Sequence, residues 1–207
     1  PKTILPVIMY PRIYRPCLFF TWLYPEALFR IRTGERVLCL SFDDGPDPES
    51  TPGILSLLDK YEVKAVFFCN GFAARKYPAL IDDIKMKGHV VGNHGYSHFD
   101  GWKTSSGVYI DDVRRASGFT SGTLFRPPYG HLTIRQYMIL KKSFKIVFWD
   151  LMPYDFDFRF GYDRSLAVLR RKIRKGSVIV MHDKPGLSTE KILTEFLGVS
   201  ISMGYRF

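Results

Sequence analysis

The chain has few cysteines, and their arrangement fits neither a metal site nor a disulfide framework. Only three occur among 207 residues, Cys17, Cys39 and Cys69, an odd number without metal-ligand spacing. Cys39 and Cys69 fall inside apolar runs, so we expect both to be buried thiols. The count argues against a disulfide-stabilised scaffold, although it leaves a protein of the cell envelope possible.

The sequence also lacks a hydrophobic run long enough to span a bilayer. Residues 17–24 are apolar but far shorter than the ~20 residues that a transmembrane helix needs. No repeat, low-complexity segment or flexible linker divides the chain, so we expect one domain. Since the first residue is Pro1 rather than Met, we expect residues upstream, with room for a signal peptide or an anchor.

Residues 1–36 are rich in Pro, Tyr and Arg and show no clear period. We interpret them as an irregular lead-in that packs on the outside of the domain over residues 37–207. The side chains expected to anchor it are Trp22, Tyr24, Leu28 and Phe29.

The net charge of +10 favours acidic partners such as nucleic acid, anionic lipid or an anionic cell-wall polymer. The charges are scattered, however, and the densest run, residues 170–175, stands just before Gly176. Cations are favoured in the last turn of a helix that ends at glycine, so we interpret this run as a helix C-terminus.

Apolar runs alternate with helical patterns from residue 37 onward. Strands are predicted over 37–42, 64–69, 89–92, 123–125, 145–149 and 177–181, with 205–207 as the start of a seventh. Helices are predicted near 51–61, 77–87, 105–117, 133–142, 163–175 and 188–202. Continuous apolar strands between helices are typical of parallel sheets covered by helices, either an open sheet or a barrel.

Polar side chains at the ends of the strands favour the barrel. The groups concerned are Asp43, Asp44, Asn70, His94, Arg126, Asp150 and His182. In (β/α) barrels the carboxyl ends of the strands line one site, so these groups would converge. The residues therefore predict an α/β protein built as a barrel of seven strand–helix units.

Asp43 and Asp44 follow an apolar strand within residues 38–47. Two adjacent carboxylates in such a place are costly unless a cation lies beside them. Neighbouring side chains of a strand point in opposite directions, but a bend at the strand end would bring both into one site. Taken alone, the pair fits a solvated strand-to-loop junction equally well, with Asp47 capping the next turn.

His94 and His98 stand four residues apart just after a predicted strand. Two imidazoles and a carboxylate form the usual ligand set of catalytic zinc, which leaves positions open for water and substrate. Beside the Asp43-Asp44 strand end, this spacing predicts a metal site.

Two further features indicate catalysis only in combination with the predicted metal site. Residues 126–130, Arg-Pro-Pro-Tyr-Gly, form a rigid loop that could aim a peptide N–H at an oxyanion, and alone they would be a simple loop. His182 would alone be a core histidine, but opposite a metal and a carboxylate it is a candidate general acid. Asp155, in the acidic stretch 149–157, could orient that imidazole.

Five ordered motifs carry a family resemblance: residues 42–46, 94–98, 126–130, 155–156 and 180–182. Together they resemble the NodB-type polysaccharide deacetylases, carbohydrate esterase family four, over residues 37–207. The resemblance implies a distorted (β/α)7 barrel as the catalytic domain, with zinc as the usual metal. It also implies removal of N-acetyl groups from N-acetylglucosamine-type polymers, or of O-acetyl groups from xylan in some members.

The resemblance also implies a role for each matching residue. Asp43 would be the general base, positioned by Arg126, and His182 would be the general acid, supported by Asp155. The implied ligands of Zn²⁺, or of another divalent metal such as Co²⁺, are Asp44, His94 and His98. The Tyr129 N–H would bind the oxyanion. The groove would be lined by Pro128, Tyr129, Phe156 and Val180.

The sequence departs from the family pattern in three motifs. Gly95 replaces a Ser or Thr whose hydroxyl pins the loop, which predicts a looser loop or weaker metal binding. Residues 152–156 lack the first Asp and the Trp of Asp-x-x-Asp-Trp, so the choice of Asp155 over Asp150 rests on alignment. Val180 replaces a leucine.

Because all ligands and both proton-transfer groups are present, we expect a working enzyme. We expect a monomer in the bacterial envelope, the periplasm or outside the cell, acting on peptidoglycan or a related glycan. The alternatives are an acetyl-xylan-type O-deacetylase and a non-catalytic glycan-binding relative. A metal-dependent nuclease is a rival suggested by the basic charge, but a single metal's ligands and the lack of a basic strip oppose it.

Overall fold

The computed structural model describes residues 12–120 and 122–207. Its strands are β1 (Cys39–Asp43), β2 (Ala65–Cys69), β3 (Val90–Asn93), β4 (Leu124–Phe125), β5 (Lys145–Ile146) and β6 (Val178–His182). They form one parallel six-stranded sheet in the order β5-β4-β3-β2-β1-β6. The predicted parallel alternation of strands and helices is confirmed.

The helices of the described residues are α1 (Leu18–Leu23), α2 (Thr51–Lys60), α3 (Gly71–Lys76), α4 (Pro78–Met86), α5 (Ser106–Ser117), α6 (Ile134–Leu140), α7 (Tyr162–Lys172) and α8 (Thr189–Ser202). The prediction missed α3, whose start is fixed by Asn70. The Asn70 side chain accepts hydrogen bonds from the amides of Phe72 and Ala73. Asn70 is therefore a helix cap, and the expectation that it faces the site was wrong.

Within the described residues, single bridges rather than a full seventh strand close the distorted barrel between β5 and β6. Leu28 pairs with Val147, and Leu151 pairs with Ile179 of β6. Residues 205–207, predicted to start a seventh strand, contribute one bridge between Arg206 and residue 37. The short edge segments supply too few backbone pairs for a regular strand, so the barrel is distorted there.

The lead-in is partly helical and is anchored by fewer side chains than predicted. Tyr24 is buried and its hydroxyl donates to the Leu132 carbonyl, while Phe29 stacks on Phe148 with ring centroids 4.8 Å apart. Trp22 is 75% exposed, because α1 buries none of its residues, so its assignment as an anchor was wrong. Residues 1–11 of the lead-in lie outside the described part of the chain.

The remaining composition-based predictions concern thiols and the basic run. Cys69 is buried, Cys39 is only half-buried, and all three cysteines are free. Helix α7 ends in Arg170, Arg171 and Lys172, as predicted for its C-terminus.

Within residues 12–120 and 122–207, no helix has the length and apolar character required to cross a bilayer.

The strand register brings the polar strand ends together. Asp43 at the end of β1 pairs with His182 at the end of β6. Asn93 at the end of β3 pairs with Phe125 of β4. The residues that follow β3 and β4, His94 and Arg126, therefore emerge at the same end of the barrel as Asp43.

Candidate metal and catalytic site

Asp44, His94 and His98 converge at the carboxyl end of the sheet. One potential ligand atom from each lies within 4.8 Å of the others. Asp44 Oδ1 is 2.9 Å from His98 Nε2 and 3.6 Å from His94 Nε2. Asp44 has a left-handed backbone with φ of 80°, so both Asp43 and Asp44 line one cavity. The predicted bend at the strand end is thereby confirmed.

The protonation of His94 fits a cation at this point. Its Nδ1 lies 2.8 Å from the Arg126 carbonyl oxygen, which can only accept, so Nδ1 carries the proton. Burial lowers the pKa of His94 despite the neighbouring carboxylates, which favours the neutral ring. The Nε2 lone pair then faces oxygens of Asp44 at 3.6 Å and Asp43 at 3.9 Å. Acceptors that face one another this closely suit a divalent cation with nitrogen and oxygen ligands.

The loop between the two histidines is held by backbone hydrogen bonds. Asn93 Oδ1 accepts from the Gly95 amide at 2.8 Å. The Asp112 carboxylate accepts from the amides of Tyr96 at 2.8 Å and Ser97 at 3.1 Å. Gly95 has φ of +72°, and a Cβ there would lie 3.2 Å from Asp112 Oδ2. Asn93 and Asp112 hold the loop without a hydroxyl at residue 95, which argues against the looser loop expected from Gly95. The alternative expectation, weaker metal binding, stays a prediction.

Arg126 is completely buried and fixes one oxygen of Asp43. Its Nη1 donates to Asp43 Oδ1 and to Ser41 Oγ, each at 2.7 Å, and its Nη2 donates to the Phe148 carbonyl at 3.0 Å. A buried guanidinium with this many acceptors has little freedom to turn. Arg126 therefore lies in the interior of the protein and orients Asp43 toward the cavity.

His182 and Asp155 form the second charged pair of the site. His182 Nδ1 lies 2.9 Å from Asp155 Oδ1, and Asp155 Oδ2 accepts from the His182 amide at 2.7 Å and the Thr189 hydroxyl at 2.9 Å. Burial acts to lower the pKa of His182, but Asp155, with help from Asp44 and Asp43, raises it overall. The pair therefore favours a charged imidazole on the cavity wall.

Asp150 does not belong to this site. Its carboxylate accepts from Ser177 Oγ at 2.6 Å and from Arg174 Nε at 3.0 Å. Ser177 precedes β6, so Asp150 lies at the amino end of that strand, away from His182. The expectation that Asp150 joins the converging strand ends was wrong, whereas Asp155 contacts His182.

The site opens into a cavity of about 620 Å³ with largely aromatic walls. Tyr129, with φ of 60°, is 59% exposed and places its ring 4.7 Å from that of His98, centroid to centroid. Phe156 stands edge-on to the His182 ring at 4.6 Å. Both lie on the cavity wall, and their role in a substrate groove stays a prediction.

The other two predicted groove residues lie behind the wall. Pro128 and Val180 are buried, and neither lines the cavity. Pro127 takes the position expected of Pro128. Val180 sits within β6, hydrogen-bonded through its amide to the Leu151 carbonyl.

Several residues that support the site were missed in the sequence: Ser41, Asn93, Asp112, Lys184 and Thr189. Lys184 Nζ lies 2.9 Å from Asp44 Oδ2, on the oxygen that the histidines leave free. Only Asn93 had a sequence signal, since it precedes His94 at a strand end. Asp112 and Thr189 reach the site from helices, and no local pattern distinguishes them from other polar helical residues.

Comparisons with known proteins give independent information about the family of this chain. The family model described as "Polysaccharide deacetylase" matches residues 30–142. A peptidoglycan-N-acetylglucosamine deacetylase of Bacillus cereus is 36% identical over 176 residues, 81% of this chain and 63% of that protein. A chitooligosaccharide deacetylase of Bradyrhizobium sp. is 32% identical over 159 residues, covering 73% of this chain and 72% of that protein.

Solved structures extend the match to the fold. A peptidoglycan N-acetylglucosamine deacetylase, solved with 4-naphthalen-1-yl-N-oxidanyl-benzamide, superposes with a TM-score of 0.84 at 30% identity over 91% of this chain and 92% of its own. A carbohydrate esterase family four pseudoenzyme from Bacillus anthracis gives 0.77 at 25% identity over 88% of this chain and 66% of its own. From the family match, the close relatives and the fold together, the chain belongs to the polysaccharide deacetylases of carbohydrate esterase family four.

Proposed function

We propose that this chain is a metal-dependent hydrolase that removes N-acetyl groups from polysaccharides containing N-acetylglucosamine. The observation that carries the proposal is the convergence, in one cavity, of three candidate ligands with a carboxylate and an imidazole. Asp44, His94 and His98 supply the ligands, while Asp43 and His182 are poised for proton transfer.

Hydrolysis of an acetamide needs an activated water, a polarised carbonyl and an acid for the leaving nitrogen. A zinc or cobalt ion held by Asp44, His94 and His98 would polarise the carbonyl and lower the pKa of water. All other steps fall to side chains and backbone groups of the chain itself.

Asp43 is the proposed general base. Arg126 occupies Asp43 Oδ1 at 2.7 Å, so Oδ2 is the oxygen available to accept a proton from the attacking water. The buried guanidinium holds the Asp43 carboxylate in one orientation, so Oδ2 is already positioned for the reaction.

His182 is the proposed general acid, and Tyr129 the proposed oxyanion donor. With Asp155 on Nδ1, His182 would give the proton on its other nitrogen to the departing amine. The fixed, left-handed backbone at Tyr129 would hold its N–H toward the developing oxyanion. The products are acetate and a free amino sugar.

The substrate we favour is peptidoglycan or a related envelope glycan. Support comes from relatives that are named for peptidoglycan and for chitooligosaccharides. Such a substrate implies action in the bacterial envelope or outside the cell. An O-acetylated polymer such as acetyl-xylan is the alternative within the same chemistry.

The second candidate is a non-catalytic glycan-binding protein, since one solved relative is a pseudoenzyme. Against it, this chain keeps the proposed ligands, base and acid on the wall of one cavity. Burying charged groups costs free energy, and a protein that only binds a glycan would not need this arrangement of them.

Acetate release separates these candidates. Purified protein is incubated with peptidoglycan, chitooligosaccharides and acetyl-xylan, with and without added zinc. We expect zinc-dependent acetate from the N-acetylated glycans and none from Asp43→Asn. Release only from xylan would favour the O-deacetylase, and no release from any substrate would favour the non-catalytic protein.

A further inference from the structure

The aromatic wall includes a stacked pair that the proposed chemistry does not use. The Trp102 indole lies flat on the His131 imidazole, with ring centroids 3.7 Å apart and planes within 9°. Both line the cavity, yet Trp102 is 53% exposed. With one face on His131, the indole has its other face available from the solvent side.

The stack is held by hydrogen bonds. Asp100 Oδ1 accepts from His131 Nδ1 at 2.9 Å and from the Trp102 amide at 3.0 Å. Trp102 Nε1 donates to the Leu132 carbonyl at 3.3 Å. The polar atoms of the indole and of one imidazole edge are thus satisfied, and what the pair presents outward is a flat aromatic surface.

The two segments that carry the rings are locked together. Gln136 Nε2 donates to the Gly101 carbonyl at 2.9 Å. A Cβ on Gly101 would lie 2.2 Å from the His131 carbonyl oxygen, so only glycine allows this approach. A rigid aromatic surface loses little conformational entropy when it binds a ligand.

The position of the stack relates it to the catalytic groups. The Tyr129 ring lies between them, 4.7 Å from His98 and 5.9 Å from His131, centroid to centroid. The stack is therefore about one ring beyond the proposed metal ligands, too far out to hold the reacting acetamide. A neighbouring unit of a polymer is the group that would reach it.

The electron-rich face of an aromatic ring attracts positively polarised edges and C–H groups. The faces of a β-linked pyranose carry axial C–H bonds and are flat enough to lie on an indole. We propose that the Trp102–His131 stack is a second sugar-binding position, which takes a pyranose ring adjacent to the one that is deacetylated. This inference rests on the proposed function, because it assumes a glycan in the cavity.

The test measures binding of N-acetylchitotetraose to zinc-loaded protein by isothermal titration calorimetry, in an Asp43→Asn background that prevents turnover. We expect Trp102→Ala to weaken binding about tenfold, and Trp102→Phe to keep most of the affinity. Trp22→Ala is the matched control, because Trp22 is 75% exposed on α1 and does not line the cavity. Circular dichroism checks that each variant is folded.

In the active background, Trp102→Ala should raise KM for the tetramer about tenfold and change kcat less than twofold. Equal affinity of the Trp102→Ala and Trp22→Ala variants, or no tetramer binding by the Asp43→Asn parent, would overturn the sugar position. Deacetylation with unchanged KM in Trp102→Ala would retain the proposed function and reject the stack. Tetramer binding that depends on Trp102, without acetate release by the active protein, would retain the sugar position and reject the proposed function.

Discussion

The charge on His182 depends on one carboxylate more than on any other neighbour. Burial opposes the imidazolium, and Asp155 is the largest of the groups that raise the pKa of His182. A general acid must be protonated, so activity should be present below this raised pKa and fall as pH rises through it. Asp155 therefore sets where the high-pH limb of the rate profile lies.

We predict that Asp155→Asn moves this limb to lower pH. Without the carboxylate, burial lowers the pKa of His182, and the acid loses its proton earlier as pH rises. The shift should be about one pH unit or more, measured as kcat/KM against pH.

Asp157→Asn is the control for that measurement. Asp157 lies in the same loop but pairs with Arg12 at 2.5 Å, so its loss should leave the limb in place. If the high-pH limb of the kcat/KM profile is unchanged in Asp155→Asn, His182 is not the general acid.

From the sequence, the residues that reach the site are easier to predict than the contacts that orient their side chains. Asp43 and His182 could be identified because each ends an apolar strand, and strand ends meet in a parallel barrel. Asp150 also follows an apolar run, yet its side chain pairs with Arg174 and Ser177. No local pattern separates it from Asp155, because the direction of a loop side chain is set by contacts distant in the sequence.

At the scale of elements, helix α5 fixes the histidine loop through Asp112. Buried amides without acceptors cost about 1–3 kcal/mol each, so the Tyr96 and Ser97 amides depend on this carboxylate. We predict that Asp112→Ala weakens zinc binding about 10–100-fold, as for other residues that orient metal ligands. Competition with a chromophoric chelator measures the affinity.

Asp111→Ala provides a matched control on the same helix. Asp111 is 78% exposed and its ion-pair partner is Arg114, so zinc affinity should not change. If Asp112→Ala binds zinc as tightly as Asp111→Ala does, the loop is held by other contacts.

Prediction of elements succeeded where a local signal was present. Thr133 and Gln136 form a capping box at the start of α6, and the basic run ends α7 as expected. Helix α3 was missed because six residues are too few to show a periodic apolar face. The bridges made by Leu28 and Leu151 are single contacts between distant segments, which no local pattern indicates.

For the whole molecule, the buried carboxyl of Asp183 links stability to pH. Burial raises the pKa of Asp183 to about 6, although the hydroxyls of Ser50 and Thr51 donate to it at 2.6 Å. A carboxyl with a raised pKa in the folded state favours folding when it is protonated. Its contribution is fully present below about pH 4, where the unfolded form also binds a proton, and is lost as pH rises through 6.

We therefore predict that Asp183→Asn gains stability relative to the wild type as pH rises from 5 to 8. The amide remains uncharged, so it does not incur the cost of a buried carboxylate. The relative gain should be on the order of 1–2 kcal/mol, measured by urea unfolding at both pH values. A difference between the two proteins that is the same at pH 5 and pH 8 would contradict this account.

The central claim is that Asp43 and Asp44, adjacent in sequence, have separate duties as base and metal ligand. The most direct measurement compares Asp43→Asn with Asp44→Asn for bound zinc per chain and for acetate released from N-acetylchitotetraose. We predict that Asp43→Asn keeps one zinc and the native fold but releases no acetate, whereas Asp44→Asn loses both zinc and activity. Full activity in Asp43→Asn, or undiminished zinc in Asp44→Asn, would contradict it.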